Sequence, residues 1–137
     1  MKQRRNKTLP RVLLLAAAAA LLCLAVYVKS VAAYQRAVQE TRFEEVDLNA
    51  IPDGTYTGEY DVQFIRAKVA VTVQDGAITE IQLLEHKNGR GEAAETVLEE
   101  IVSQQRVAVD AVSGATNSSI VLEKAVENAL TKREINY

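Results

Sequence analysis

The stretch Val12–Val28, VLLLAAAAALLCLAVYV, carries no charged or strongly polar side chain. As a helix rising about 1.5 Å per residue it is just long enough to cross a hydrocarbon core, so it reads as a single transmembrane span. Lys2, Arg4, Arg5, Lys7 and Arg11 precede it, and Lys29 alone follows directly. Cytoplasmic flanks are the basic ones, which predicts a cytoplasmic tail over residues 1–11, a membrane helix over 12–28 and an extracytoplasmic remainder. The competing reading is a signal peptide cleaved near Ser30-Val31-Ala32 or Val31-Ala32-Ala33. The anchor is preferred because the apolar run exceeds the usual signal core of about 7–15 residues. Leu22 stands before Cys23, where lipoprotein processing needs a small residue, so Cys23 reads as a lipid-facing bystander.

What remains is enough for one small domain in a chain of 137 residues. One Cys, one His and no Trp exclude an internal disulfide, a Cys-ligated cluster and a His-rich metal site. Any redox chemistry must come from a borrowed cofactor. Residues 51–137 hold 8 bases and 14 acids, a balance opposed to a nucleic-acid groove, which needs cations for phosphates.

Residues 29–50 contain no Gly or Pro and place Val31, Tyr34 and Val38 at helical spacing, which predicts a helical stalk ended by the turn cluster Ile51-Pro52-Asp53-Gly54. Period two then takes over. Tyr56, Gly58, Tyr60 and Val62 alternate with Thr57, Glu59 and Asp61, and Ile65, Ala67, Val69, Val71 and Val73 alternate with Arg66, Lys68, Ala70 and Thr72. Asp75-Gly76 before the apolar run Ile78–Leu84 predicts a tight hairpin, making three antiparallel strands. Beyond Gly91, Ala94, Val97, Leu98, Ile101 and Val102 mark one amphipathic helix, and Leu122, Ala125, Val126, Ala129 and Leu130 mark a second. Val107–Val109 reads as a short strand between them. The fold class is α+β, an antiparallel sheet with two packed helices, preceded by the transmembrane helix and the stalk.

The segment Asp110-Ala111-Val112-Ser113-Gly114-Ala115-Thr116-Asn117-Ser118-Ser119 opens the second helix. Gly114 permits close backbone approach, and Ser113, Thr116 and Ser118 surround the exposed amides of a helix N-terminus, an arrangement suited to a phosphate. The same residue types also serve ordinary capping.

The run from Asp110 to Ser118 resembles the D-x-x-[ST]-G-A-[ST]-x-[ST] signature of the FMN-binding domain family, which includes flavin-carrying subunits of sodium-pumping NADH:quinone oxidoreductases and of Rnf-type complexes. Asp53–Gly58 resembles the family's opening strand, Asp75–Ile78 its hairpin and Val121–Leu130 its closing helix, so the likeness covers about residues 51–131 within a domain of residues 51–137. The resemblance implies that a flavin transferase cleaves FAD and joins FMN, through its phosphate, to the hydroxyl of Thr116. Asp110, Ser113, Gly114, Ala115 and Ser118 match the other motif positions, and Asn117 falls on the variable one. A loop near the flavin ring in larger family members corresponds to His86-Lys87-Asn88-Gly89-Arg90-Gly91, where Gly89 is a candidate contact and Arg90 or Lys87 a cation for the reduced ring.

The chain is much shorter than the large-complex subunits, so the expectation is a free-standing, membrane-tethered flavin carrier that passes electrons between a membrane or quinol-linked donor and an extracytoplasmic acceptor. A reversible flavin-binding or adaptor module is the alternative. A hydrolase built from Ser113 or Thr116 with His86 and Asp110 is a triad by residue type alone, without a G-x-S-x-G elbow.

Overall fold

The computed structural model describes residues 8–89 and 91–132 and the backbone of 134–135. The chain divides into two compact units, Met1–Arg36 and Ala37–Tyr137. Helix α1, Thr8–Gln39, contains the apolar run, and it is long and apolar enough to cross a membrane. It ends where the Thr41 hydroxyl donates to the Ala37 carbonyl (2.7 Å) and the Thr41 amide to Val38 (3.3 Å).

The segment expected as stalk is therefore helical only to Gln39, and residues 41–47 are irregular. Tertiary bonds outcompete helix propagation there. The Thr41 and Tyr60 hydroxyls stand 3.0 Å apart, the Lys124 ammonium donates to the Arg42 carbonyl (2.7 Å), and the Glu44 amide donates to Glu127 (3.2 Å). A single 3-10 turn, Leu48–Ala50, capped by the Asp47 carboxylate, leads into the sheet.

The three expected strands are present as β1 (Gly54–Asp61), β2 (Arg66–Gln74) and β3 (Ala77–Lys87), joined by β4 (Glu134–Ile135) in the antiparallel order β3-β2-β1-β4. Asp75 and Gly76 both take positive φ, 51° and 73°, the conformation of a two-residue hairpin turn. The alternation on β2 is strict: Ala67, Val69, Val71 and Val73 are all buried. Two register shifts opposite β3, at Lys68/Val69 and Thr72/Val73, break the same alternation there and leave Leu84 exposed.

Helix α2 (Val97–Gln104), entered through a 3-10 turn at Glu92–Thr96, and helix α3 (Thr116–Lys132) supply the other layer. Gln105 closes α2 in the left-handed conformation, φ 52°, and its side chain accepts from the Ile78 amide and donates to the Ile78 carbonyl, both at 2.8 Å. That side-chain amide occupies the outer edge of β3 as a strand would. Helix α3 lies directly on the sheet at Gly58, where an added Cβ would come within 2.2 Å of the Ala125 carbonyl oxygen. The expected stripe of α3 is buried throughout, and so are Glu123, Glu127 and Asn128. Val107–Val109 is not a strand: residues 106–115 are irregular, and the amide of Val112 is taken by the Ser119 hydroxyl rather than by a sheet neighbour.

Candidate functional site

The site is built at the first turn of α3. Gly114, with φ +81°, reverses the chain so that the Ala115 amide donates to the Val112 carbonyl (3.0 Å), and α3 begins at Thr116. No atom stands within 4 Å of an added Cβ at Gly114, so its requirement is the left-handed backbone, with open space above it, rather than a close approach. Ser119 staples the turn from beneath: its hydroxyl accepts from the Val112 amide and donates to the Ala115 carbonyl, each at 3.0 Å. Ala115 is buried under this turn, while Asp110, Ser113, Gly114, Thr116 and Asn117 are exposed.

An exposed hydroxyl on the first residue of a helix stands beside amides that have no partner within the helix and at the positive end of the helix dipole. The residues present therefore fit an anionic phosphate ester: an accessible oxygen, small neighbours and open space over Gly114. Ser118 departs from the expected cluster. It is buried, and it is packed so closely against Gly91 that an added Cβ there would lie 1.9 Å from the Ser118 hydroxyl oxygen. Ser118 thus joins the turn that opens α3 to the loop after β3, instead of facing the same space as Thr116.

That loop is the second expected region. Gly89 is exposed with open space around it, Lys87 is exposed at the end of β3, and Arg90 lies outside the described residues. The Asn88 side chain accepts from the Gly91 amide (3.0 Å) and donates to the His86 carbonyl (3.4 Å). His86 pairs in register with buried Ala67 and so faces the core, with its side chain 1% exposed. Its Nδ1 is 2.8 Å from Glu95, which lies in the 3-10 turn before α2. Its Nε2 is buried without a hydrogen-bond partner. Glu95, and not Asp110, is the carboxylate paired with His86, which removes the residue-type triad as an arrangement of this fold.

Spacing revealed neither Glu95 nor a second carboxyl, Glu123. Glu123 is 2% exposed, seven residues along α3 from Thr116, and one of its oxygens, Oε1, has no partner. Burial above all, with a smaller contribution from the charge of Asp110, pushes its carboxyl up to about 7, partly opposed by a hydrogen bond from the backbone amide of Val109. The signal in the sequence was an acid inside an otherwise apolar helical stripe. Among the described residues there is no cluster of three or more His, Cys, Asp or Glu able to hold a metal.

The model of the FMN-binding domain family matches residues 64–131, from the turn between β1 and β2 to the last turn of α3. The matched stretch contains the loop after β3 and the whole turn that opens α3. It starts later than the likeness read from the residues, leaving β1 outside although β1 pairs with β2 over its full length. No curated protein and no solved structure gave a match.

Proposed function

Because the chain belongs to the FMN-binding domain family, we propose that this flavin-binding protein is a single-pass, membrane-anchored, extracytoplasmic electron carrier that holds FMN covalently on Thr116. The observation that carries the reading is the setting of Thr116: an exposed hydroxyl at the first residue of α3, directly behind a left-handed glycine and a small alanine. In the attachment reaction the Thr116 oxygen forms a bond to phosphorus, the pyrophosphate bond of FAD breaks, and AMP leaves. The hydroxyl proton passes to the flavin transferase that catalyses the step.

The first-turn amides and the helix dipole stabilise the negative phosphodiester. Gly114 holds the reversal that presents the hydroxyl, Ser119 fixes the turn from below, and exposed Asp110, Ser113 and Asn117 offer the face on which the transferase acts. Bound FMN supplies one- and two-electron exchange, which the polypeptide's own side chains lack. The length of α1 and the basic residues before it support a tether in the membrane lipid with the N-terminus in the cytoplasm, so that the electron donor and acceptor are membrane or extracytoplasmic partners.

The test is flavin fluorescence in a denaturing gel after co-expression with a flavin transferase. Wild type and Thr116→Ser are expected to fluoresce, and Thr116→Ala to be dark. Flavin that co-purifies with wild type and leaves on denaturation would replace this reading with reversible binding.

A further inference from the structure

The hairpin between β1 and β2 reverses over residues 62–65, and it is built differently from the Asp75-Gly76 turn of the same sheet. Gln63 takes φ 76°, and the Phe64 amide donates to the Val62 carbonyl at 2.9 Å, so Gln63 is the centre of a positive-φ γ-turn, a rare and strained reversal. The Gln63 amide donates to the Asp61 carboxylate (2.7 Å) and the Val62 amide to the Ile65 carbonyl (2.9 Å). Val62 and Ile65 are buried, whereas Phe64 between them is 41% exposed. Strained backbone persists only where its surroundings impose it, and it gathers at ligand contacts. Here the strain holds an aromatic ring at the surface. A single exposed apolar side chain is ordinary, yet outside α1 the described residues have one other large one, Leu84.

The place of Phe64 in the fold gives its exposure a purpose. Asp61 pairs with Arg66, and Arg66 with Lys87, so the hairpin tip and the loop after β3 leave the same end of the sheet. Gly91 of that loop packs on Ser118, two residues along α3 from Thr116. Between residues 65 and 136 the sequence has no Phe, Tyr or Trp. The His86 imidazole is 1% exposed, and the Tyr60 hydroxyl is engaged by Thr41. Among the described residues, Phe64 is therefore the aromatic surface that this end presents.

We propose that Phe64 is the stacking surface for the ring of the tethered flavin. The proposal rests on the reading of Thr116 as the flavin acceptor. A phosphate on Thr116 sets the loop after β3 beside the cofactor, and the ribityl chain carries the ring past the open space at Gly89 to the hairpin tip. A phenyl group has no hydrogen-bond donor or acceptor; what it offers is a flat apolar face, which packs on an aromatic ring at about 4.5–7 Å between centroids. The strained turn fixes that face before the ligand arrives, so little freedom is lost on contact. The other face of the flavin stays open to an electron partner.

The experiment uses the full chain in detergent, matured with a flavin transferase, as wild type, Phe64→Trp, Phe64→Ala and Leu84→Trp. Loading is read in a denaturing gel, where stacking is lost, and stacking is read from flavin fluorescence of the folded protein. The natural chain has no Trp, so each introduced indole is alone. An indole at stacking distance quenches an excited flavin. Phe64→Trp is expected to be about fivefold dimmer than wild type when folded and equally bright when denatured, with Leu84→Trp matching wild type in both. Phe64→Ala is expected to load normally and to show lower flavin fluorescence anisotropy, because its ring moves more freely.

Phe64→Trp as bright as Leu84→Trp in the folded protein, or an anisotropy unchanged in Phe64→Ala, would overturn the stacking role while leaving Thr116 as acceptor intact. Wild type that is dark in the denaturing gel would instead remove the attachment reading itself, and this role of Phe64 with it.

Discussion

Glu127 and Glu123 stand one turn apart on α3, each 2% exposed, and their surroundings differ in kind. Glu127 receives the Lys124 ammonium at 2.6 Å and the Glu44 amide at 3.2 Å, and the next residue, Asn128, donates to the Glu59 carbonyl at 2.8 Å. This rear part of the helix is a structural junction that gathers the strap after α1 and the end of β1. Among the described residues Glu123 has no ion-pair partner; it lies near Asp110 and leaves its Oε1 unpaired. The same residue type is offset by a lysine at the rear, whereas at the front, nearer the turn that opens α3, burial pushes the carboxyl up to about 7.

The largest expected effect falls on the rear. Gly58→Ala places a methyl group against the backbone of α3 at Ala125 and Ala129. It should cost about 3–4 kcal/mol by overpacking, read as a lower midpoint in chemical denaturation. Next comes Glu127→Ala, which strips Lys124 and the Glu44 amide of their shared acceptor. Its expected cost is about 3 kcal/mol, since one partner of a largely buried pair is left behind. Loss of under about 0.5 kcal/mol would place Glu127 with ordinary surface charges and erase the contrast with Glu123.

The third effect has the opposite sign. The folded Glu123 carboxyl keeps its proton up to about pH 7, whereas an ordinary carboxylate releases it near 4.5. Between these values the folded state binds the extra proton, so stability falls as the pH rises through the window, and the loss is complete above about 7. Glu123→Gln removes that penalty and should be more stable than wild type by about 2 kcal/mol at pH 8, with the advantage shrinking towards pH 4.5. A constant difference between the two proteins across that range would show that Glu123 does not titrate there.

Much of this architecture was legible because it is written in apolar spacing. The strict alternation from Ile65 to Val73, the Asp75-Gly76 turn and the stripes at Ala94–Val102 and Leu122–Leu130 each mark an element that the structure contains. The turn that opens α3 was legible as a motif. What spacing could not show were the polar groups whose partners are set by tertiary packing. Glu95 reaches His86 across a loop, Ser118 turns inward onto Gly91, and Glu123 and Glu127 sit in a helix buried on more faces than its apolar stripe suggests. The strand expected at Val107–Val109 fails for the same reason, because the chain there runs to the Val112 amide, which is taken by the Ser119 side chain of α3. The helix expected through the stalk stops at Gln39, where bonds from Arg42 and Glu44 to α3 take over.

The measurement that tests the central claim most directly is tandem mass spectrometry of the tryptic peptide spanning residues 107–124, taken from wild-type protein matured with a flavin transferase. This peptide contains Ser113, Thr116, Ser118 and Ser119 together, so it separates the exposed hydroxyls from the buried ones. The account predicts an FMN phosphodiester on Thr116 and unmodified serines. An adduct on Ser113, or a peptide without any adduct in protein that carries flavin, would contradict it.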